Sequence, residues 1–205
     1  FFPIFFKQFW SAGADTTIST ARLGAANSIA GIIVAVMAPV LGAIADRGTS
    51  KKKFLLFFAF MGVIMTSSLY MVSKGDWPLA VLLYVLSYVG FSGGNIFYDS
   101  LITVVASEER LDFVSSLGFS LGYLGGGLLF AFNVWMTLSP GTFGLADAAE
   151  AVQISFLTVG LWWAVFSVPV FLFVKEPESE KAAAGLNTVK AGILQLRNTF
   201  REVRH

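Results

Sequence analysis

Cysteine is absent from the 205 residues, and histidine occurs once, at the terminal His205. The first absence excludes disulfides, thiolate metal sites and cysteine nucleophiles. The second leaves nothing for histidine-based catalysis or a histidine-rich metal cage, so neither a metal nor another cofactor is expected. Charge is scarce too: 13% of residues are charged, against roughly 25% in soluble domains. The net charge of +1 provides no basic field for nucleic acid. Paired acidic residues at membrane depth and Ser/His arrangements are likewise missing, which argues against an intramembrane enzyme. What fills the space is apolar. Hydrophobic residues make up 56% of the chain, with 21 Phe and 20 Gly, and mean hydropathy is +0.73.

The few charges mark out the architecture. Uncharged runs of 23, 20, 22, 34 and 24 residues separate Arg22 from Asp46, Lys53 from Lys74, Asp76 from Asp99, Asp112 from Asp147, and Glu150 from Lys175. About 20 apolar residues cross the hydrocarbon core as a helix. In lipid the backbone must satisfy its own hydrogen bonds, so each run is expected to be helical. The expected spans are Leu23–Ala45, Phe54–Ser73, Trp77–Ser107, Phe113–Leu138 and Ala151–Val174. Phe1–Trp10 reads as the end of a sixth, truncated span. The fold class is therefore an all-α, polytopic transmembrane bundle over residues 1–175. Pro39 and Pro169 fall within spans and are expected to kink them.

Lys and Arg placement orients the bundle. Arg47, Lys51, Lys52, Lys53, Arg110 and six basic residues after Val174 fall on one side, and Lys7, Arg22 and Lys74 on the other. Eleven against three puts the first side in the cytoplasm. Trp10, Trp77 and Trp135 then lie at the outer end, where indole rings favour the interface. Residues 176–205 read as a cytoplasmic linker. Within it Leu186, Val189, Ile193, Leu196, Phe200 and Val203 recur at steps of three and four, the pattern of an amphipathic helix on the membrane surface or under the bundle.

Two motifs carry chemistry. Gly42-Ala-Ile-Ala-Asp46-Arg47-Gly48, followed by Lys51-Lys52-Lys53, joins two spans at the cytoplasmic end. Gly42 would admit a close helix, Asp46 could meet a helix N-terminus, Arg47 could reach an acidic partner, and the lysines would face anionic lipid. The second motif is Gly118, Gly122, Gly125, Gly126 and Gly127 in the fifth run, whose small-xxx-small spacing suits a tight packing seam.

These motifs resemble those of the major facilitator superfamily. The segment Asn95 through Asn133, with VSSLGFSLGYLGGGLLF at its centre, is similar to the vacuole-effluxer-like branch, which includes fungal vacuolar amino-acid effluxers and bacterial permeases. The resemblance implies the amino-terminal six-helix half of a twelve-helix transporter, in a bacterial inner membrane or a fungal vacuolar membrane. The absent partner would be the carboxy-terminal half of the same protein. The superfamily's antiporter motif is matched only in part, because Tyr123 stands at its Pro and Glu109 at its earlier Gly; antiport is not inferred.

A solute site should use polar groups at mid-depth. Tyr84, Tyr88, Ser92, Asn95 and Asp99 recur at steps of four, four, three and four, forming one polar stripe; the resemblance favours this helix as cavity-lining. Ser120 and Tyr123 occupy similar depth. Asn27 and Asn133 lie nearer the outer end, at a gate or a helix interface. Asp99 falls about 33 Å along its helix from Trp77, at the cytoplasmic boundary, where an Arg47–Asp99 contact would latch two helix ends; proton coupling is the alternative role for this carboxylate. Transport of a small polar solute, amino acids included, is the leading expectation. A membrane scaffold or regulatory subunit, or a lipid transporter, is the alternative.

Overall fold

The structure, a computed structural model, describes residues 2–47 and 50–176, with the backbone alone described at Arg47. Gly48 and the expected amphipathic stretch of 177–205 lie outside the described residues. All regular structure among the described residues is helical. A short α1 (Phe2–Phe5) runs into a π-helical turn over Phe6–Trp10. Then follow α2 (Thr16–Arg47), α3 (Lys51–Ser68), α4 (Trp77–Ser100), a single-turn α5 (Ile102–Val105), α6 (Leu111–Leu138) and α7 (Ala148–Phe173). Five of the described helices are long and apolar enough to cross a membrane.

Boundaries differ from expectation where charge misleads. Counting from Arg22 starts the first full span at Leu23, whereas α2 begins seven residues earlier, at Thr16. Arg22 is tolerated inside the helix because its guanidinium donates to Ser11 Oγ (2.9 Å) and lies 4.2 Å above the Trp77 ring. The expected span to Ser107 also breaks: α4 ends at Ser100, and α5 follows Leu101 as a separate turn. Pro39 and Pro169 lie inside α2 and α7.

The end of the bundle that carries Trp77 is called outer, and the opposite end cytoplasmic, after the expected charge asymmetry; the turns at the outer end are capped locally. The Asp76 carboxylate accepts from Leu79 N–H at the start of α4, with Pro78 in the first turn, where its missing N–H costs nothing. Asp147 accepts from Glu150 N–H (2.9 Å) while Glu150 accepts from Ala146 N–H (2.7 Å), a reciprocal cap at the start of α7. Gly75 turns the chain at φ +90° and donates its N–H to Phe9 O, tying the outer end of the π-helical turn to the α3–α4 loop.

Packing is uneven. α4 lies between α2 and α3, and α3 also packs on α7. Glycines set the closest approach. A Cβ at Gly90 of α4 would stand 2.6 Å from Gly62 N and 2.8 Å from Phe58 O on α3, and one at Gly93 would meet the Phe58 ring. Thr66 and Ser87 share a 2.6 Å hydrogen bond across the same interface. Lipid is as apolar as the side chains, so such close van der Waals contact and hydrogen bonding, rather than water exclusion, hold membrane helices together. A second cluster sits at the outer end, where Phe5, Phe6 and Trp10 pack with Leu69, Val72 and Val152. Trp10 is fully buried there, stacked near Phe156 and donating Nε1–H to Val72 O (3.3 Å). Its indole is thus a core residue of the outer end, not an interfacial anchor.

α6 is the exception. It packs on α7 and buries only Asn133 and Met136, both near its outer end. Asn133 Oδ1 accepts from Thr158 Oγ1 (2.9 Å), which places Asn133 in a helix interface.

Candidate functional site

α4 has two chemically distinct sides. One carries Val85, Val89, Gly90, Gly93, Gly94 and Phe97, all buried. Its small and branched residues allow α3 to approach, and that packing turns the polar stripe the other way. Tyr88, Asn95, Tyr98 and Asp99 are exposed, Tyr84 and Ser92 half-buried.

The stripe is organised in two zones. Towards the outer end, Tyr84 O–H donates to Asn27 Oδ1 on α2 (2.7 Å), and its ring stacks on Phe2 at 4.6 Å. The Tyr88 ring follows at 6.4 Å from Tyr84. Towards the cytoplasmic end, a cleft of about 610 Å³ opens between α4, α6 and α7, and Asn95, Tyr98 and Asp99 line it from α4. Gly118, Gly122 and Tyr123 line it from α6. A smaller cavity of about 210 Å³ continues between α3, α4 and α7, sharing Phe91, Asn95 and Tyr98 and bounded by Trp163 and Ser167. The cleft is thus an apolar trough with an amide, a carboxylate, two phenols and the Ser115 hydroxyl at its edge. Such a set can orient a small solute by hydrogen bonding while the apolar walls bury the rest of it.

Not every expected residue converges there. Ser120 donates its hydroxyl to Ser116 O (2.8 Å) within α6 and is not among the residues lining the cleft. Tyr84, Tyr88 and Ser92 lie on α4 outside the cleft lining, so of the six expected solute residues only Asn95 and Tyr123 line it. On the glycine-rich helix, Gly118 has Tyr98 Oη 3.8 Å from where its Cβ would be, and Gly125 has the Trp162 indole at 3.9 Å. No described atom lies within 4 Å of a Cβ at Gly122, Gly126 or Gly127. Among the described residues the tight glycine contacts are instead those of Gly62, Gly90, Gly93 and Gly160.

At the cytoplasmic end, Gly42 has open space around its Cβ position, and Asp46 is exposed. The Arg47 side chain, and with it the expected Arg47–Asp99 contact, lies outside the described residues. Two lysines of the basic run do not face lipid as expected. Lys51 Nζ donates to Ser100 O (3.0 Å), and Lys52 Nζ donates to Phe171 O (2.8 Å) and Val174 O (2.7 Å). The carbonyls at a helix C-terminus lack intrahelical partners and carry partial negative charge, so an ammonium there is favourable. Lys52 N–H in turn donates to the Glu176 carboxylate (2.7 Å). The start of α3 therefore clasps the ends of both α4 and α7, one residue from Asp99. Sequence reading missed this clasp, because the carbonyls concerned belong to helices 49 to 122 positions away. Tyr98 was also missed, although the three-and-four spacing Phe91–Asn95–Tyr98 was available to find it.

Comparison with known proteins follows the same lines. A family model described as "Vacuole effluxer Atg22 like" matches residues 14–205. An uncharacterized MFS-type transporter, YxiO of Bacillus subtilis, is 36% identical over 177 residues, covering 85% of this chain and 41% of the relative. An uncharacterized protein of Aquifex aeolicus is 27% identical over 87% of the chain and 40% of its own length. Autophagy-related protein 22 of Yarrowia lipolytica is 21% identical over 69% of the chain and 33% of its own length. The chain thus spans about two-fifths or less of the curated relatives it matches. No solved structure matches. The apolar helices and these relatives identify a multi-pass membrane protein. With the family model covering nearly all of its length, the chain belongs to the vacuole effluxer Atg22-like family of the major facilitator type.

Proposed function

We propose that this chain forms the amino-terminal six-helix half of a secondary transporter, moving a small polar solute by alternating access. In this reading α1 and the turn over Phe6–Trp10 are the outer end of the first membrane helix, and residues 176–205 lead to the second half. The observation that carries the proposal is the polar stripe on the open side of α4. Its tight side is consumed by packing on α2 and α3, while Asn95, Tyr98 and Asp99 line a cleft shared with Tyr123 of α6. Polar side chains on lipid-exposed surface are costly, so a stripe of them on a membrane helix marks a protein or water-filled interior.

Asn95, Tyr98 and Tyr123 would contact solute in the cleft, Tyr88, Ser92 and Ser120 would set the polarity beyond its lining, and Tyr84 would be held by Asn27 near the outer end. Asp46, Arg47, Asp99 and the close approach permitted by Gly42 would form the inner latch between the two states. Such latches work when two packings of helix ends differ by only a few kcal/mol. Amino acids are the candidate solute class, since their ammonium and carboxylate groups can hydrogen-bond to the Asn95 amide and the phenols.

Uptake of labelled amino acids into proteoliposomes holding the complete protein tests this. Asn95→Leu is expected to lower uptake at least about tenfold while thermal stability in detergent stays unchanged. Uptake unaffected by Asn95→Leu and Tyr123→Leu together, or movement of fluorescent phospholipid with no amino-acid flux, would reject the solute-path assignment.

A further inference from the structure

The three consecutive lysines at the cytoplasmic end have different fates. Lys51 and Lys52 place their ammonium groups on helix-end carbonyls of α4 and α7. Lys53 is exposed, and its ammonium has no partner among the described residues. It stands instead at the mouth of a groove of about 790 Å³ between α2 and α3. The floor of the groove is buried Leu41, Ile44 and Phe58. Its walls are Val36, 70% exposed, and Phe57, 61% exposed. Ser50 lies beside Lys53 at the mouth, and its side chain does not cap α3.

This distribution is that of an amphiphile's counterpart. All polarity is at one end, at the level where α2 meets α3, and everything deeper is apolar. From Val36 to Ile44 the groove runs about 12 Å along α2, parallel to an acyl chain in the bilayer. By the positive-inside rule the Lys53 end faces the cytoplasm, where anionic lipids create a negative surface potential that a basic pocket between helices can exploit. We propose that this groove binds an anionic phospholipid of the inner leaflet. The phosphate sits on the Lys53 ammonium and the Ser50 hydroxyl, and one acyl chain lies along Val36, Val40 and Phe57. The site is independent of the solute path, which opens from the other side of α4.

Native mass spectrometry of the complete protein, delipidated and titrated with phosphatidylglycerol or with phosphatidylcholine of the same chains, reads the preference. The wild type is expected to favour phosphatidylglycerol by about fivefold or more, a factor set by one lysine near a membrane surface. Lys53→Gln should remove that preference. Lys52→Gln should retain it, although it weakens the clasp. Equal binding of both lipids by the wild type, or an unchanged preference in Lys53→Gln, would overturn the proposal. A bimane on Val40→Cys, with any other cysteine of the protein replaced, reports the acyl chain. Quenching by brominated phosphatidylglycerol beyond that by the brominated choline lipid is expected. Shielding from both would mean that another part of the protein covers the groove, and would also overturn the assignment.

Discussion

Two sets of glycines in this bundle, one scattered over three helices and one concentrated in α6, behave oppositely in space. Gly62, Gly90, Gly93 and Gly160 hold α3 against α4 and α7 so closely that an added Cβ would collide with a neighbouring helix. Gly122, Gly126 and Gly127 of α6 face open space among the described residues. The denser run, with three consecutive glycines, is the one that packs least. Small residues lower the cost of a close approach; they do not supply the helix that approaches. In the first region the partner exists within this chain. In the second only Gly122, with Gly118, borders the cleft that Asn95 and Asp99 line from the opposite side.

The comparison breaks most visibly by adding volume. Gly90→Leu should drive a side chain into Gly62 and the Phe58 carbonyl. Overpacking of this kind costs about 1–3 kcal/mol, occasionally more, and should abolish the monodisperse peak in size-exclusion chromatography after mild heating. Gly126→Leu should leave that peak unchanged. Asn95→Leu gives the next largest effect, on transport and not on stability, as proteoliposome uptake would report. Lys52→Gln should loosen the cytoplasmic clasp by about 1 kcal/mol, the scale of a cation at a helix C-terminus, and appear as a lower unfolding midpoint in detergent. Asn133→Leu removes the bond to Thr158. It should cost about 0.6 kcal/mol, typical of a hydrogen bond between membrane helices, and loosen α6 against α7. A cysteine-reactive probe placed at Phe132 would detect this as greater mobility of α6.

Much of this could be read from the sequence, for identifiable reasons. Charges are so expensive in lipid that their spacing marked all five long helices. The stripe from Tyr84 to Asp99 followed from helical periodicity alone. What escaped were facts that depend on a distant partner. Arg22 seemed to end a span, yet Ser11 and Trp77 accommodate it within α2. Its indole and the charge asymmetry point Trp10 to the outer interface, yet it is fully buried and donates to the Val72 carbonyl. Lys51 and Lys52 read as lipid-facing charges until the ends of α4 and α7 arrived beside them. Glycine spacing marked a helix as able to pack without saying on which side it would do so.

The central claim is that α4 divides a structural seam from a solute path, and cysteine accessibility tests it directly. This chain contains no cysteine of its own, so single replacements can be introduced once any cysteine elsewhere in the protein is removed. Cysteines at Asn95 and Tyr123 should react with a membrane-impermeant thiosulfonate from the cytoplasmic side and be protected by transported solute. A cysteine at Val89, on the buried side of the same helix, should remain unmodified. Equal reactivity at Val89 and Asn95, or none at Asn95 and Tyr123, would contradict the account.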